Sequence, residues 1–129
     1  MRKEKEFLWR TNKYEALMYD ERQYRHIQKR VNTMTYQALE EALIQLYEST
    51  PTIGSVANTY EHMWGYFKKI ASEEEKQEAF FLLKQYKCEM IEREALWQYL
   101  ATLAVKYNVV YLQETTLLRR YIKKEEENG

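Results

Sequence analysis

The chain has 129 residues with equal numbers of acidic and basic side chains, so its formal net charge is zero. Three glycines and one proline are too few for the many turns of an all-β fold, and abundant helix-forming residues favour an all-α domain. The single cysteine, Cys88, excludes an internal disulfide and favours a reducing compartment. This length is sufficient for one domain with a continuous core.

Charge is distributed unevenly along the neutral chain. Residues 1–34 carry nine Lys/Arg against five Asp/Glu, whereas residues 71–95 carry four against seven. This asymmetry is far below that of a dedicated nucleic-acid-binding protein, although a local basic patch can still bind phosphate. No apolar run is long enough to span a membrane, and the charged first residues lack the apolar segment of a signal peptide. The sequence therefore predicts a cytoplasmic protein that does not enter membranes.

The first two predicted helices meet at Asp20. Helical spacing begins near Lys3 and continues to Tyr19, and the predicted core side consists of Phe7, Tyr14, Leu17 and Met18. Asp20 followed by Gln23 has the spacing of a capping box, in which side chains bond the free backbone amides at the start of a helix. A second helix is therefore expected directly after Asp20.

The second predicted helix carries a candidate anion-binding face. Arg22, Arg25 and Lys29 fall on one side of it, with His26 and Arg30 beside them. Guanidinium and ammonium groups bind phosphate and carboxylate through charge-assisted hydrogen bonds. The alternative is a solvated face without a ligand, because basic residues are mostly exposed.

Two further helices are predicted before residue 72. Thr35 is the predicted cap of the third, and Pro51 ends it after the stripe Leu39, Leu43, Leu46 and Tyr47. Ser55 is the predicted cap of the fourth helix, which is expected to end near Ala71. The predicted core stripe of the fourth helix is Val56, Tyr60, Met63, Phe67 and Ile70.

The fourth helix also carries a second candidate binding surface. His62, Tyr66 and Lys69 are spaced i, i+4 and i+7, so a continuous helix would align an imidazole, a phenol and an ammonium group. Gly65 faces away from the stripe, where bare backbone admits either a ligand or a crossing helix. With the basic residues of the second helix, this row predicts a site for phosphate, nucleotide or carboxylate. The alternative is a histidine bonded at the core edge and solvated lysines.

The remaining chain predicts two more helices. Ser72 and Glu75 form the clearest capping box and begin the fifth. This helix is expected to be largely enclosed because of its wide apolar arc, Ala79, Phe80, Leu82, Leu83 and Tyr86. A sixth helix from about Arg93 ends at Asn108, and residues 109–112 form an extended segment or a short helix. The predicted fold is a compact orthogonal bundle of six or seven helices, one domain over residues 1–122, followed by a disordered charged tail, residues 123–129.

No metal centre, cofactor or catalytic set is predicted. Two histidines and one cysteine are too few to assemble a metal-ligand cluster. The sequence has no phosphate-binding glycine loop, no Gly-x-Ser-x-Gly elbow and no Cys-x-x-Cys motif. A nucleophilic pair of Cys88 with His62 is far less common than a structural thiol. These observations favour a binding module over an enzyme.

Several short motifs occur together along the chain: Asn12-Lys13-Tyr14, Tyr24-Arg25, His62-Met63-Trp64-Gly65-Tyr66-Phe67-Lys68-Lys69, Lys76-Gln77-Glu78 and Tyr86-Lys87. This set resembles the YbgA-like family of bacterial helical domains, over a span from Phe7 to Leu112. The resemblance implies an all-helical bacterial domain with no established activity. Some relatives join it to a cysteine-bearing domain similar to thiouracil desulfurases. Where relatives carry two histidines, this chain has Tyr19 and Gln23, so the resemblance implies no role for them here.

Three functions are consistent with this sequence. The first is a non-enzymatic binding or accessory module for an anionic ligand such as nucleotide, RNA or phosphate. The second, suggested only by the resemblance, is an enzyme or accessory domain of nucleobase or nucleotide metabolism, with His62 or Tyr66 as acid or base. The third is a structural module that forms homo-oligomers through a surface rich in its twelve tyrosines.

Overall fold

The computed structural model describes residues 2–122, which form seven α-helices and two short 3₁₀ helices. The α-helices are α1 Arg2–Tyr19, α2 Glu21–Arg30, α3 Tyr36–Leu46, α4 Ile53–Trp64, α5 Glu73–Lys87, α6 Arg93–Lys106 and α7 Val110–Glu114. The 3₁₀ helices span Val31–Thr33 and Arg119–Tyr121. No strand occurs within residues 2–122, so the predicted all-α class is confirmed. The tail predicted over residues 123–129 lies outside the described residues.

The described residues form two compact units that divide between Thr59 and Tyr60. In the first unit, α1 packs against both α2 and α3. Its buried core cluster consists of Trp9, Ala16, Ile27, Leu39, Leu43 and Leu46. The Trp9 ring stacks on Tyr24 with 5.6 Å between centroids, which joins α1 to α2.

The core side of α1 differs from the prediction at Phe7. This ring is 47% exposed and lies under the Arg10 guanidinium, 5.2 Å from its centroid. Trp9 occupies the core position at that end of the helix. Residues two positions apart on an α-helix point about 200° away from each other. Phe7 and Trp9 therefore cannot both face the core.

Local capping sets the starts of α2 and α3 as predicted. The Asp20 Oδ1 accepts a hydrogen bond from the Gln23 backbone amide at 3.1 Å, and the Gln23 side chain donates to Asp20 Oδ2 at 2.8 Å. The Thr35 hydroxyl accepts from the Ala38 amide at 3.1 Å. Both side chains satisfy amides that have no partner inside their helix.

The cap of α4 is Thr52 and not the predicted Ser55. The Ser55 amide donates to Thr52 Oγ1 at 3.0 Å, and the Thr52 amide donates to Ser55 Oγ at 2.9 Å. This reciprocal pair has the geometry of a capping box. Ser55 is therefore the second member of the box, and the helix begins before it, at Ile53.

The predicted stripe of the fourth helix is confirmed at four of its five positions. Val56, Tyr60, Met63 and Phe67 are each exposed by 2% or less, whereas Ile70 is 51% exposed. In the second unit the Tyr60 hydroxyl donates to the Ala79 carbonyl at 3.0 Å and so joins α4 to α5. Burial raises the pKa of the Tyr60 phenol, which keeps it a neutral donor.

The prediction that α5 is largely enclosed is wrong. Ala79 and Leu83 are buried, but Phe80 and Phe81 are 61% and 53% exposed. Positions 79 and 83 are one turn apart and form a narrow buried stripe. The neighbouring phenylalanines point about 100° and 200° away from Ala79, so they lie outside that stripe.

Two helices of the second unit end at residues with a left-handed backbone. Glu89 follows α5 with φ 59°, and Asn108 follows α6 with φ 54°, as predicted for Asn108. After each, an amide bonds back to a helix carbonyl five residues earlier: Met90 to Gln85 at 2.9 Å, and Val109 to Ala104 at 2.8 Å. These bonds define the Schellman ending of a helix. Residues 109–112 are predicted to form an extended segment or a short helix. The short helix is correct, because α7 begins at Val110.

Candidate functional site

The basic face of α2 is exposed along its whole length. The exposed residues are Arg22, Arg25, His26, Lys29 and Arg30. Ile27, on the opposite side of the helix, is only 5% exposed. At 100° per residue the five side chains cover an arc of about 140° on the side away from Ile27. The three predicted anion-binding residues of the first unit therefore share one solvent-facing surface, which we call the α2 basic face.

Both ends of α2 are fixed by groups from other elements. The Ser49 hydroxyl donates to Asp20 Oδ2 at 2.7 Å. Burial opposes the charged form of Asp20, but hydrogen bonds from the Gln23 amide and Ser49 lower its pKa overall. At the other end, the Lys5 ammonium donates to the Val31 and Met34 carbonyls at 2.8 and 2.9 Å. These contacts hold the α2 basic face at a defined position on the first unit.

One cation of the face is paired with an acid on the same helix. The Arg25 Nε donates to Glu21 Oε2 at 2.9 Å, and Nη2 of the same guanidinium donates to the same oxygen. The side chains of Arg25 and Glu21 are 68% and 40% exposed, so solvent screens this pair. Within residues 2–122, no ion pair involves Arg22 or Lys29. Of the three predicted anion-binding residues, Arg22 and Lys29 are therefore uncompensated, and Arg25 is weakly compensated.

The two remaining basic side chains of the face contact each other. The Arg30 Nη1 lies 3.1 Å from the His26 Nδ1. A guanidinium has no lone pair to offer, so this nitrogen of the imidazole accepts the hydrogen bond. Arg30 keeps its charge in this arrangement and extends the basic face towards the end of α2.

The second predicted surface does not form a continuous helix. α4 ends at Trp64, whereas the sequence predicts an end near Ala71. The Tyr66 amide bonds to the Met63 carbonyl at 3.1 Å and the Phe67 amide to the Trp64 carbonyl at 2.8 Å. These are i to i−3 bonds, which tighten the chain into turns. These turns still direct Phe67 into the core. The spacing of apolar residues is therefore the same for a continuing helix and for turns, so it does not reveal where α4 ends.

The predicted row of His62, Tyr66 and Lys69 on one helical face is consequently wrong. His62 lies in the last turn of α4, while Tyr66 and Lys69 lie in the turns that follow. All three are exposed, with Tyr66 at 42%. The Tyr66 ring packs against Tyr111, with centroids 5.9 Å apart. These residues belong to the second unit and the α2 basic face to the first.

Gly65 lies in the tight turn at the end of α4, where a side chain would be crowded. Its amide lies 3.2 Å from the carbonyl oxygens of both Glu61 and His62. A Cβ at this position would be 3.1 Å from the His62 carbonyl oxygen, closer than ordinary van der Waals contact. This local crowding explains why position 65 is a glycine, and the explanation needs neither a bound ligand nor a crossing helix.

Glu75, which is predicted only to cap α5, also joins α5 to the end of α6. Its carboxylate accepts hydrogen bonds from the Ser72 amide at 2.8 Å, from Lys106 at 2.6 Å and from the Tyr107 hydroxyl. Hydrogen bonds from Lys106 and Tyr107 lower the pKa of Glu75 to about 2. The Tyr99 hydroxyl donates to the Glu75 backbone carbonyl at 2.8 Å. No local signal reveals this cluster, because its members are far apart in the sequence.

The tyrosines of this cluster keep their protons near neutral pH. Burial, followed by the nearby Glu75 charge, raises the pKa of Tyr99 to about 12. The hydrogen bond to Glu75, with burial as the second cause, raises the pKa of Tyr107, so this phenol stays neutral and donates to the carboxylate. The arrangement is chemically suited to holding two helices together, since neither phenol is prepared to lose its proton near neutral pH.

Two surface cavities occur in the first unit. The larger, of about 680 Å³, is lined by residues that include Lys5 and Tyr36. The smaller, of about 480 Å³, lies beside the starts of α2 and α4 and includes Asp20 and Thr52. Neither of these two cavities is lined by a basic residue of α2. The side chains of the α2 basic face spread over about 140° of one helix, so this face is a convex surface.

Residues 2–122 contain neither a metal-ligand cluster nor a membrane-spanning helix. No group of three or more His, Cys, Asp or Glu side chains in that range is arranged to hold a metal ion. None of the helices there combines the length and apolarity needed to cross a membrane.

The fold and surfaces define an all-α protein with an exposed basic helix. A family model described as "Protein of unknown function (DUF1722)" matches residues 13–121. This match covers most of the chain, which therefore belongs to that family. No curated protein and no solved structure matches the chain.

Proposed function

We propose that the protein is a non-enzymatic binding module for an anionic ligand, with the α2 basic face as its main contact surface. The observation that carries this proposal is the exposure of Arg22 and Lys29 without an ion-pair partner in the described residues. Both project from the side of α2 opposite buried Ile27. Uncompensated cations on one face attract phosphate or carboxylate and can bind it by charge-assisted hydrogen bonds.

The segment from His62 to Lys69 is proposed as a second anion-contacting surface, in the second unit. His62, Gly65, Tyr66 and Lys69 are all exposed there. An imidazole, a phenol and an ammonium can each donate a hydrogen bond to phosphate, and the bare backbone of Gly65 leaves room for close approach. Each surface is proposed to act within its own unit.

Charge reversal tests both surfaces separately. Arg25→Glu and Lys69→Glu would be titrated at low salt with RNA, ATP and inorganic phosphate, with Lys84→Glu as a control for the same charge change on α5. Each site variant is expected to weaken binding several-fold, and the control to leave it unchanged. The proposal fails if the wild-type protein binds none of the three ligands, or if the control variant weakens binding as much as the site variants do.

Self-association is a second candidate function, favoured by one observation on α5. Phe80 and Phe81 are adjacent large apolar side chains with more than half of their surface exposed. Sedimentation over a dilution series would show a concentration-dependent oligomer, and Phe81→Ser would shift it towards the monomer. A protein that stays monomeric at every concentration would exclude this function.

We further propose that the family is the bacterial YbgA-like group, that the protein is cytoplasmic, and that residues 1–122 act as one domain. The resemblance from Phe7 to Leu112 and the family match over residues 13–121 cover almost the same part of the chain. The family match and helix α4 both continue across the division between Thr59 and Tyr60. Their continuity supports a single evolutionary and folding unit.

A further inference from the structure

We infer that the ligand of the α2 basic face is the phosphate backbone of duplex DNA. This inference rests on the proposed function and narrows it from anions in general to one polymer. It follows from the length, curvature and composition of the face.

The cations of the face are spread along the helix. Arg22 and Lys29 are seven residues apart, which is about 10 Å along the axis at 1.5 Å per residue. A single phosphate can meet both only if both side chains fold back along the helix. A chain of phosphates meets them without that distortion, so the spacing favours a polymer over a mononucleotide.

The face is convex, whereas small ligands bind in concave sites that enclose most of their surface. The two cavities of the first unit are lined by other residues than the basic residues of α2. A convex helix binds best to a ligand that supplies the groove itself. Nucleic-acid duplexes have such grooves, bordered by phosphates.

The aromatic content of the face favours a duplex over a single strand. Proteins that bind single strands stack the bases on exposed aromatic rings. α2 has two aromatic rings. Tyr24 is half-buried and stacks on Trp9 within the first unit, and the exposed His26 imidazole lies 3.1 Å from the Arg30 guanidinium. The exposed side of α2 therefore offers four cations and one imidazole but no large aromatic ring for stacking.

Groove dimensions favour DNA over RNA. An α-helix with its side chains is about 10–12 Å across. The major groove of B-form DNA is about 12 Å wide and admits a helix. The major groove of A-form RNA is too narrow for this contact. The α2 basic face therefore matches duplex DNA, with contacts to phosphates and no requirement for a base sequence.

Glu21 restrains one of these contacts. Its carboxylate holds Arg25 and competes with a DNA phosphate for the same guanidinium. Three cations remain unrestrained by an acid: Arg22, Lys29 and Arg30. Each phosphate neutralised changes the salt dependence of log K by about 0.9, so contacts from the four cations of the face predict a wild-type slope near −3.6.

The experiment measures fluorescence anisotropy of a short labelled DNA duplex over a series of low salt concentrations. Glu21→Gln is expected to bind about twofold more tightly, because an exposed i, i+4 ion pair is weak. Lys29→Gln is expected to weaken binding to every duplex sequence equally and to reduce the slope by about 1. Glu41→Gln makes the same charge change at an exposed position of α3 and is the matched control. Its slope should equal that of the wild type.

Competition with other anions separates this inference from the proposed function. Equal affinity for ATP, single-stranded DNA, duplex RNA or polyglutamate would overturn the inference but leave an anion-binding module in place. A Lys29→Gln slope equal to the wild-type slope would also overturn it. If no anion binds even at the lowest salt concentration, the inference and the proposed function both fail.

Discussion

The Lys106 ammonium donates a hydrogen bond to the Glu75 carboxylate across 2.6 Å, although the two residues are 31 positions apart in the sequence. Glu75 begins α5 through its capping box, whereas Lys106 is the last residue of α6. Because Tyr107 donates to the same carboxylate, one side chain caps a helix and anchors the end of another. This dual role makes Glu75 a sensitive point of the second unit.

Removing the Glu75 charge is expected to destabilise the protein. Glu75→Gln keeps the size of the side chain but replaces charge-assisted hydrogen bonds from Lys106 and Tyr107 with weaker neutral ones. Urea unfolding followed by circular dichroism should show a lower midpoint for this variant. Glu74→Gln, in the same helical turn, is the control and should change the midpoint little. Equal midpoints for wild type and Glu75→Gln would contradict the role assigned to this carboxylate.

The same carboxylate predicts how stability depends on pH. Its pKa is about 2 in the folded protein against an ordinary value of 4.5, because Lys106 and Tyr107 favour the charged form. A lowered folded-state pKa adds stability above the unfolded-state value, and this is lost as the pH falls from about 4.5 towards 2. The difference in unfolding free energy between wild type and Glu75→Gln should therefore shrink across that range. A difference that stays constant down to pH 2 would rule out this linkage.

Replacing Gly54 or Gly65 with alanine should change the stability of the protein in opposite directions. Gly54 lies in the first turn of α4, and Gly65 directly follows its last residue. In Gly65→Ala the new Cβ lies 3.1 Å from the His62 carbonyl oxygen, so the turn must shift, at a cost of about 1 kcal/mol. In Gly54→Ala the nearest atom is the Thr52 Oγ1 at 3.9 Å, and alanine gains up to about 1 kcal/mol of helix propensity. Thermal unfolding of both variants tests the pair. A stabilising Gly65→Ala would show that the turn does not require glycine.

Glycine at position 89 should stabilise the protein. Glu89 has φ 59°, and this left-handed conformation costs residues with a Cβ about 1 kcal/mol. Glu89→Gly removes that cost and also removes a negative charge from the negative end of the α5 dipole. Glu89→Ala removes only the charge, so the difference between the two unfolding free energies isolates the backbone effect. Glycine no more stable than alanine would contradict the strain assigned to this residue.

The starts of α2, α3 and α5 and the end of α6 could be predicted because their causes are local. Asp20, Thr35 and Ser72 cap helices through atoms three residues away, and Asn108 takes the left-handed conformation that its side chain tolerates. Thr52 shows the limit of this reasoning. Either member of the Thr52 and Ser55 pair is a plausible cap from sequence, and only the reciprocal bonds identify the first.

The end of α4 and the surroundings of Glu75 could not be predicted. A buried Phe67 fits both a continuing helix and a series of tight turns, so periodicity gives the same pattern for both. Lys106 and Tyr107 reach Glu75 only after α5 and α6 have packed, which no spacing rule describes. The basic face was predictable because Arg22, Arg25 and Lys29 lie on one short helix.

The Lys5 ammonium, held by the carbonyls of Val31 and Met34, lies before the region that the family model matches. The far end of α2 is thus supported by a residue that membership of the family does not require. Removing the Lys5 ammonium would free the Val31 and Met34 carbonyls and so alter how the end of α2 is held, without changing any of its basic side chains.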